Sequence, residues 1–231
     1  SIIKFASYDR VSLRANTEFR TLNKKLTIGE NFTTSFDNLK GNVSNDDEQS
    51  PVSGAYKHHP LLPIYDIAGN FAGSRGANLG NNFNPYARLY RDQDDRRYGL
   101  RLLGNAYANY ELIPGLDLRT SFGVDARVQR VRNLDRPQPE YVEGNFIRSS
   151  EAREQYEYQW TWTNTLTYAK TFNEVHNFKA YVGVESIQQF EERFEARRER
   201  YAFGTTNILS YLDLGDATTA TNRGYVWQDY T

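Results

Sequence analysis

Polar side chains that can form hydrogen bonds and ion pairs recur with a two-residue period in two neighbouring segments of this chain. They are Arg101, Asn105, Tyr107, Asn109 and Glu111 in the first segment, and Arg119, Asp125 and Arg127 in the second. Guanidinium, amide and carboxylate groups of this kind contact polar solutes, another polypeptide or one another. Catalysis is not expected, because Asp117 and Asp125 lie roughly 26 Å apart on an extended strand, well beyond the roughly 5–9.5 Å between paired catalytic carboxylates.

The second segment alternates polar and apolar positions over an unusual length. Between Leu116 and Arg130 the opposite register is apolar, with leucine, phenylalanine and valine at Leu116, Leu118, Phe122, Val124 and Val128. A period of two predicts a β-strand, because successive side chains point to opposite faces. An average strand has about 5–6 residues, so this strand is expected to be much longer than usual.

The same alternation predicts an all-β, antiparallel up-and-down meander. Strands are expected over 11–22, 26–36, 98–113, 116–130, 156–170 and 178–190, with a further one beginning near 225. The connections alternate between short turns and longer loops, the latter at about 37–97, 131–154 and 191–223. In a meander this places all the turns at one end and all the loops at the other, which is typical of transmembrane β-barrels and has no counterpart in a soluble sandwich.

Strand length and aromatic positions agree with a membrane crossing. Tyr98 and Tyr110 begin and end one apolar register. Twelve residues at a tilt near 45° span roughly 28 Å, close to an apolar band of about 25 Å between two aromatic girdles. The charged segment 190–200 is expected to extend a strand beyond this band, although a short charged helix is an alternative.

Composition excludes several classes of protein. The 231 residues include 28 basic and 29 acidic side chains, so there is no electrostatic case for binding nucleic acid. Cysteine is absent, which excludes a disulfide framework and a thiolate metal site within this sequence. Methionine is also absent and the sequence ends within a β segment, so we expect a piece of a longer chain.

No motif predicts a cofactor or a metal. His58 and His59 are adjacent, and neighbouring residues of an extended chain point in opposite directions, so packing is the favoured interpretation. The sequence RDQDD at 91–95 lacks the glycine and glutamate of an EF-hand, so we expect a solvated acidic loop.

The first long loop is rich in aromatic residues. We expect five of them either to contact a ligand or a partner protein, or to pack within the loop: Tyr56, Tyr65, Phe71, Phe83 and Tyr86. Aromatic rings provide large contact areas at binding surfaces, and they also stabilise loops, so both interpretations stay open.

Several stretches resemble the SusC/RagA-like TonB-dependent transporters of Bacteroidota outer membranes. The stretches are YDRVSLRANTEFRTLNKKLTIGENF, HHPLLPIYDIAGNFAG, NNFNPYARL, NAYANYELIPGLDLRTSFGVD and WTWTNTLTYAKTFNEVHNFKAYVGVE. They follow the order of the family and cover most of the chain, and the last is the most specific. The resemblance implies part of an outer-membrane barrel of about 22 strands, with the plug domain and the remaining strands outside residues 1–231.

The resemblance also implies a function. Such barrels import oligosaccharides or peptides with energy delivered through TonB, and a SusD-like surface lipoprotein covers the mouth. The eight polar residues named first would then face the lumen, the apolar register would face outer-membrane lipid, and the long loops would be extracellular. The alternative is a secreted all-β carbohydrate-binding or adhesion module.

Overall fold

A computed structural model describes residues 2–41, 50–76, 78–201 and 211–231. The chain forms one seven-stranded antiparallel sheet in which every strand pairs with its sequence neighbour. The strands are β1 Ser7–Thr21, β2 Leu26–Lys40, β3 Arg96–Ile113, β4 Leu116–Asp135, β5 Ser149–Phe172, β6 His176–Glu199 and β7 Asp216–Tyr230. The predicted up-and-down meander is therefore confirmed. Among the described residues, no helix has the length and apolar character needed to cross a membrane.

Short turns lie at one end of the sheet and long connections at the other. The turns occupy residues 22–25, 114–115 and 173–175. Asn23, Lys24, Asn173 and Glu174 have positive φ angles. Residues in this conformation give a tight turn the twist that the flanking strands require. The long connections 41–95, 136–148 and 200–215 join the opposite ends of the strands.

Several strands are longer than the sequence pattern predicted. β4 continues to Asp135 and β5 begins at Ser149, so the second long connection is 136–148 and not about 131–154. β6 continues to Glu199 and β7 begins at Asp216, so the third connection is 200–215 and not about 191–223. The apolar alternation ends before the backbone ladder does, because solvated charges on both faces do not interrupt main-chain pairing. The expected strand extension over 190–200 is thus observed.

Helices occur in the described part of the first long connection. They are α1 Pro51–Lys57 and α2 Pro85–Arg91, followed by a 3-10 turn at Asp92–Asp94. Each helix has proline in its first turn, where no backbone donor is needed. The Ser50 and Asn84 side chains accept hydrogen bonds from the free backbone amides of α1 and α2, respectively.

Buried apolar side chains are concentrated at the loop end of the molecule. This core consists of Ala6, Ala87, Val131, Leu134, Tyr141, Ala196 and Tyr201. On the sheet itself, large apolar residues such as Leu13, Leu100 and Phe122 are 63%, 49% and 45% exposed. Among the described residues no second layer covers this apolar face, so the strands form a single open sheet.

Candidate functional site

The eight polar residues predicted to act together lie on one face of the sheet, which we call the polar face. Strand register establishes this, because Arg101 pairs with Arg127 and Asn109 pairs with Arg119 across β3 and β4. Asp125 lies opposite Leu103 in the same register. The apolar register, which includes Phe122 and Val124, occupies the other face, which we call the apolar face.

Arg101 and Asp125 form a two-pronged ion pair between β3 and β4. Arg101 Nε and Nη2 donate to the two carboxylate oxygens of Asp125, at 2.9 and 2.6 Å. This planar geometry is the strong form of an arginine–carboxylate contact. Each side chain neutralises the charge of the other, so the main role of this pair is to maintain the structure of the sheet.

A second group of contacts crosses all of β1 to β4. The Tyr107 hydroxyl donates to Glu18 of β1 at 3.0 Å, and the guanidinium of Arg119 lies 4.3 Å from the Tyr107 ring centroid. The ring covers Gly29 of β2, where any Cβ atom would overlap it. A glycine at this position is therefore required for the tyrosine to reach Glu18.

Asn105 lines a cavity of about 640 Å³ on the polar face. Its amide donates to the Ser121 hydroxyl at 2.7 Å, and the neighbouring Gly123 leaves space in the wall. Other polar side chains around the cavity were not predicted from the sequence: Arg14, Asn31, Thr33, Gln159 and Thr161. Each occupies the polar register of its own strand, so the alternation alone could have identified them as candidates.

Three predicted residues have side chains without wall partners. In the described part of the chain, Asn109, Glu111 and Arg127 form no side-chain hydrogen bond or ion pair with other residues. Arg127 lines a smaller cavity of about 190 Å³ with Glu157 and Gln189. These groups, together with Arg14, are available to contact molecules outside the sheet.

Three of the five predicted aromatic residues of the first long connection form one cluster. Tyr65, Phe71 and Tyr86 lie within 6.3 Å of one another by ring centroids, and Phe5 and Tyr90 extend this cluster. Two further loop residues lie elsewhere. Phe83 packs against Tyr141 and covers Gly54, whereas Tyr56 is 73% exposed.

Asn84 fixes the first aromatic cluster to α2. Its carboxamide oxygen accepts from the amides of Tyr86 and Ala87, and its nitrogen donates to the carbonyls of Ile64 and Ala72 at 2.9 and 2.8 Å. Ile64 and Ala72 bracket a small hairpin in which Tyr65 bridges Phe71. One buried amide therefore satisfies four backbone groups and sets the position of the hairpin.

Asp66 closes the tip of this hairpin. Its carboxylate accepts hydrogen bonds from the backbone amides of Asn70 and Ala68, which lower the pKa of Asp66. Beside it, a hydrogen bond with Tyr86 raises the pKa of the exposed Tyr65. The hairpin therefore presents a fixed aromatic ring at the loop end.

Ion pairs join the first long connection to the second. Arg91 donates to both carboxylate oxygens of Glu140, at 2.5 and 2.8 Å, and the two side chains are 10% and 8% exposed. Arg136 pairs with Asp94 and also donates to the Arg91 carbonyl. Because these contacts are shielded from water, they hold the two connections together as one loop layer.

The acidic sequence at 91–95 is not the solvated loop that was predicted. Asp92 is buried and pairs with Arg88 at 2.8 Å, and Asp95 accepts from the Leu134 amide at 2.8 Å. Burial and repulsion from Asp92 raise the pKa of Asp95 to about 8. The prediction failed because the Leu134 amide and Arg136, which contact Asp95 and Asp94, are remote in sequence, and because the pairing of Asp92 with Arg88 depends on a helix that was not predicted.

His58 binds backbone carbonyls. Its two ring nitrogens lie 3.2 Å from the Phe83 carbonyl and 3.1 Å from the Leu62 carbonyl. Within the described residues, no group of three or more histidine, aspartate or glutamate side chains is arranged to hold a metal ion. His58 therefore links two parts of the loop. The Nδ1 atom of the adjacent His59 accepts a hydrogen bond from the Leu61 amide.

Comparisons with known proteins identify relatives of the chain. No protein-family model matches it. It is 26% identical to TonB-dependent receptor P39 of Formosa agariphila over 189 residues, and 32% identical to TonB-dependent receptor P3 of the same organism over 184 residues. These matches cover 82% and 76% of this chain, which spans 17% of the length of each relative.

Solved structures share the fold. The RagAB peptide importer in its closed-closed state matches with a TM-score of 0.70 and 21% identity, over 97% of this chain and 25% of that chain. The open-open state matches with a TM-score of 0.71 and 20% identity, with the same coverage. The shared sheet and the similarity to two TonB-dependent receptors agree with the resemblance of the motifs. The chain is a segment of the β-barrel of a TonB-dependent receptor, with the fold seen in the RagAB importer.

Proposed function

We propose that these residues form part of the wall of an outer-membrane barrel that imports nutrients in a TonB-dependent manner. The observation that carries the proposal is the division of one sheet into a polar face and an exposed apolar face, with all turns at one end and all loops at the other. In this arrangement the apolar face meets lipid and the polar face lines the lumen. Lipid can cover apolar residues that no protein layer covers.

The lumen-facing residues have two different roles in this proposal. Arg101, Asn105, Tyr107, Arg119 and Asp125 shape the wall through contacts with one another and with neighbouring strands. Asn109, Glu111 and Arg127 remain available to contact the plug domain or the cargo. The cavity residues Arg14, Asn31 and Gln159 join this second group.

The loop layer lies on the extracellular side in this proposal. Tyr56 and Tyr65 are exposed and are the best candidates for contacting cargo or a SusD-like surface lipoprotein. Phe71 and Tyr86 support Tyr65 from below, whereas Phe83 packs inside the loop layer. Contact with TonB belongs to the plug segment, which lies outside these residues in the family.

The cargo is an oligosaccharide or a peptide. The RagAB protein, whose structure shares this fold, is a peptide importer, which supports the peptide class. The cavity near Gly123 is lined by amide, hydroxyl and guanidinium groups and has no aromatic side chain among its lining residues. Groups of these types form hydrogen bonds with peptide amides as well as with sugar hydroxyls.

The secreted-module alternative is not favoured, and catalysis is not part of the proposal. A soluble sandwich needs a second sheet over the apolar face, and none is present among the described residues. The similarity to TonB-dependent receptors supports a transport role in place of an enzymatic one.

Single-cysteine labelling tests the proposed orientation in the full-length receptor within native outer membranes. A probe confined to the lipid phase should label Phe122→Cys and spare Arg119→Cys, since the two positions lie on opposite faces of β4. On intact cells, a membrane-impermeant maleimide should label Tyr65→Cys. Lipid-phase labelling of Arg119→Cys with sparing of Phe122→Cys would show that the faces are inverted. Energised import is tested separately by deleting TonB. Uptake that continues without TonB would refute it.

A further inference from the structure

Two aromatic side chains of β7 lie on the polar face of the sheet. Trp227 pairs directly with Glu191 of β6, and Tyr225 pairs with Arg193. Glu191 in turn pairs with Glu157 of β5, which lines the smaller cavity of the polar face. The strand register therefore places a tryptophan and a tyrosine beside the polar side chains of the wall.

The Trp227 ring is open to the space above the polar face. It is 43% exposed, and within the described residues no other aromatic ring packs against it and its indole nitrogen donates no hydrogen bond. Tyr225 is 45% exposed, and its hydroxyl donates to a carboxylate oxygen of Glu191. An indole has a large flat apolar face and one donor on its rim. Trp227 therefore offers a surface on which a flat apolar group can pack.

Two carboxylates lie in the same row as this ring. Glu157 and Glu191 occupy directly paired positions, where like charges repel each other. The Gln155 amide nitrogen lies between them and donates to Glu157 at 2.6 Å and to Glu191 at 2.9 Å. Their Oε2 atoms accept no hydrogen bond from the described residues. Because an ionised carboxylate can only accept hydrogen bonds, a ligand at these oxygens must supply donors.

Neutral amides occupy the row on the turn side. Gln159 of β5 pairs with Gln189 of β6, and Asp229 of β7 lies opposite Gln189. In the described part of the chain neither glutamine forms a side-chain hydrogen bond. Each amide can both donate and accept, as a hydroxyl group can. We call the following six residues the Trp227 patch: Glu157, Gln159, Gln189, Glu191, Tyr225 and Trp227.

The charges around the Trp227 patch disfavour an anionic ligand. On β4 to β7, the row of Trp227 and the two rows that flank it contain four acidic and two basic residues: Asp125, Glu157, Glu191, Asp229, Arg127 and Arg193. Asp125 is paired with Arg101, and Arg193 is paired with Glu195, each at 2.6 Å. The remaining charges are three carboxylates and the Arg127 guanidinium, so negative charge is in excess.

The Trp227 patch lies in the half of the sheet nearer the long loops. Glu191 is eight residues from the loop end of β6 at Glu199 and fifteen residues from its turn end at His176. On the apolar face at this level, Tyr158 stacks on Phe190 with ring centroids 5.1 Å apart. In the proposed orientation, a solute that enters from outside the cell reaches this part of the lumen wall first.

We propose that the Trp227 patch binds a sugar ring of a neutral oligosaccharide. A pyranose ring has an apolar face of C–H groups and a rim of hydroxyl groups. The apolar face packs on the Trp227 indole, while hydroxyls donate to the Oε2 atoms of Glu157 and Glu191 and exchange hydrogen bonds with the two glutamine amides. This inference rests on the proposed placement of the polar face in the lumen, and it selects one of the two cargo classes.

The test measures binding to the full-length receptor in nanodiscs by calorimetry. The probes are neutral hexasaccharides of glucose, galactose, mannose or xylose, and at least one of them should bind. Trp227→Ala should weaken that binding about tenfold, because stacking and apolar contact are both lost. Trp227→Phe keeps an aromatic ring and should show an intermediate affinity. The matched control Trp162→Ala removes an exposed tryptophan from the apolar face of β5 and should bind normally.

A second variant tests the carboxylates. Glu191→Gln keeps the shape of the side chain and an acceptor, and should weaken binding about fivefold, because hydrogen bonds to a charged acceptor are the stronger ones. A hexasaccharide of galacturonate should bind more weakly than the neutral probes, because the patch carries excess negative charge.

Four results would overturn the inference. They are the absence of binding by every neutral hexasaccharide, equal affinity of Trp227→Ala and the native receptor, equal weakening in Trp162→Ala, and Trp227-dependent binding of a neutral hexapeptide in place of a sugar. Uptake separates the two proposals. Trp227-dependent sugar binding with uptake that persists after deletion of TonB contradicts the proposed function alone. TonB-dependent uptake without Trp227-dependent sugar binding contradicts this inference alone.

Discussion

Removing the carboxylate charge of Glu140 should separate the two long connections that form the loop layer. In the substitution Glu140→Gln, one oxygen remains to accept a hydrogen bond, but the shielded Arg91 guanidinium loses its counter-charge. The Arg91 guanidinium lies over the Phe71 ring, and in the described part of the chain Glu140 is the carboxylate with which it forms an ion pair. The expected result is local opening of the loop layer in an otherwise intact barrel.

The magnitude follows from the burial of the pair. Breaking a buried ion pair costs about 3–5 kcal/mol, and the accepting oxygen that glutamine retains places this case near 3 kcal/mol. Because about 1.4 kcal/mol corresponds to a factor of ten, the open state should become roughly 150-fold more populated. Hydrogen exchange of the full-length receptor should show this increase at amides such as Arg75, which donates to the Glu140 carbonyl.

A matched control lies three residues away. Glu143 belongs to the same connection, is exposed, and accepts a hydrogen bond from the Tyr141 hydroxyl at 3.2 Å. Glu143→Gln should change exchange by about fivefold at most, because exposed charges contribute at most about 1 kcal/mol. Equal exchange in the two variants, or unchanged exchange at Arg75 in Glu140→Gln, would refute the view that Arg91 and Glu140 hold the layer together.

Two further predictions concern pH and packing in the full-length receptor. The pKa of Asp95 is raised from 3.8 to about 8, so the folded loop layer holds a proton that the opened chain releases, and stability should fall as pH rises from about 4 to 8. Asp95→Asn keeps an acceptor for the Leu134 amide and should flatten this dependence, as measured by the protection of that amide between pH 5 and 8.5. On the wall, Gly29→Ala should destabilise the barrel by about 1–3 kcal/mol in urea unfolding, because the new methyl group displaces the Tyr107 ring from Glu18. The double variant with Tyr107→Ala should be less destabilised than the sum of the single variants; strict additivity would contradict the contact.

The sequence predicted which face each wall residue occupies, because alternation with a period of two is a local property. It did not predict which residues of different strands converge. Arg14, Asn31 and Gln159 obey the same alternation as Asn105, yet their approach to Gly123 depends on the register of four successive strand pairings. Register depends on turn geometry and on pairing along whole strands.

The loop layer was harder to predict for a different reason. Arg91 and Glu140 are separated by 49 positions in the sequence, and nothing in either segment identifies its partner. The burial of Asp95 likewise depends on the backbone amide of Leu134, 39 positions away, which the local composition does not reveal. The ends of β4, β5, β6 and β7 were predicted wrongly because the alternation of apolar residues marks only the part of a strand that has an apolar face. The backbone hydrogen bonds between strands continue beyond that part, into solvent.

The distribution of buried residues indicates that the sheet and the loop layer are stabilised in different ways. Among the described residues the sheet has no buried layer of its own, so in the proposed placement its stability depends on the backbone ladder, the neighbouring strands of the complete barrel and the lipid on its apolar face. The loop layer has a separate core around Leu134 and Tyr141, closed by the ion pair of Arg91 with Glu140. A surface that contacts cargo or a lipoprotein must keep its shape while the lumen changes its contents. A loop layer with an independent core satisfies that requirement, and for this reason we expect disruption of Glu140 to impair binding at the mouth before it impairs the barrel.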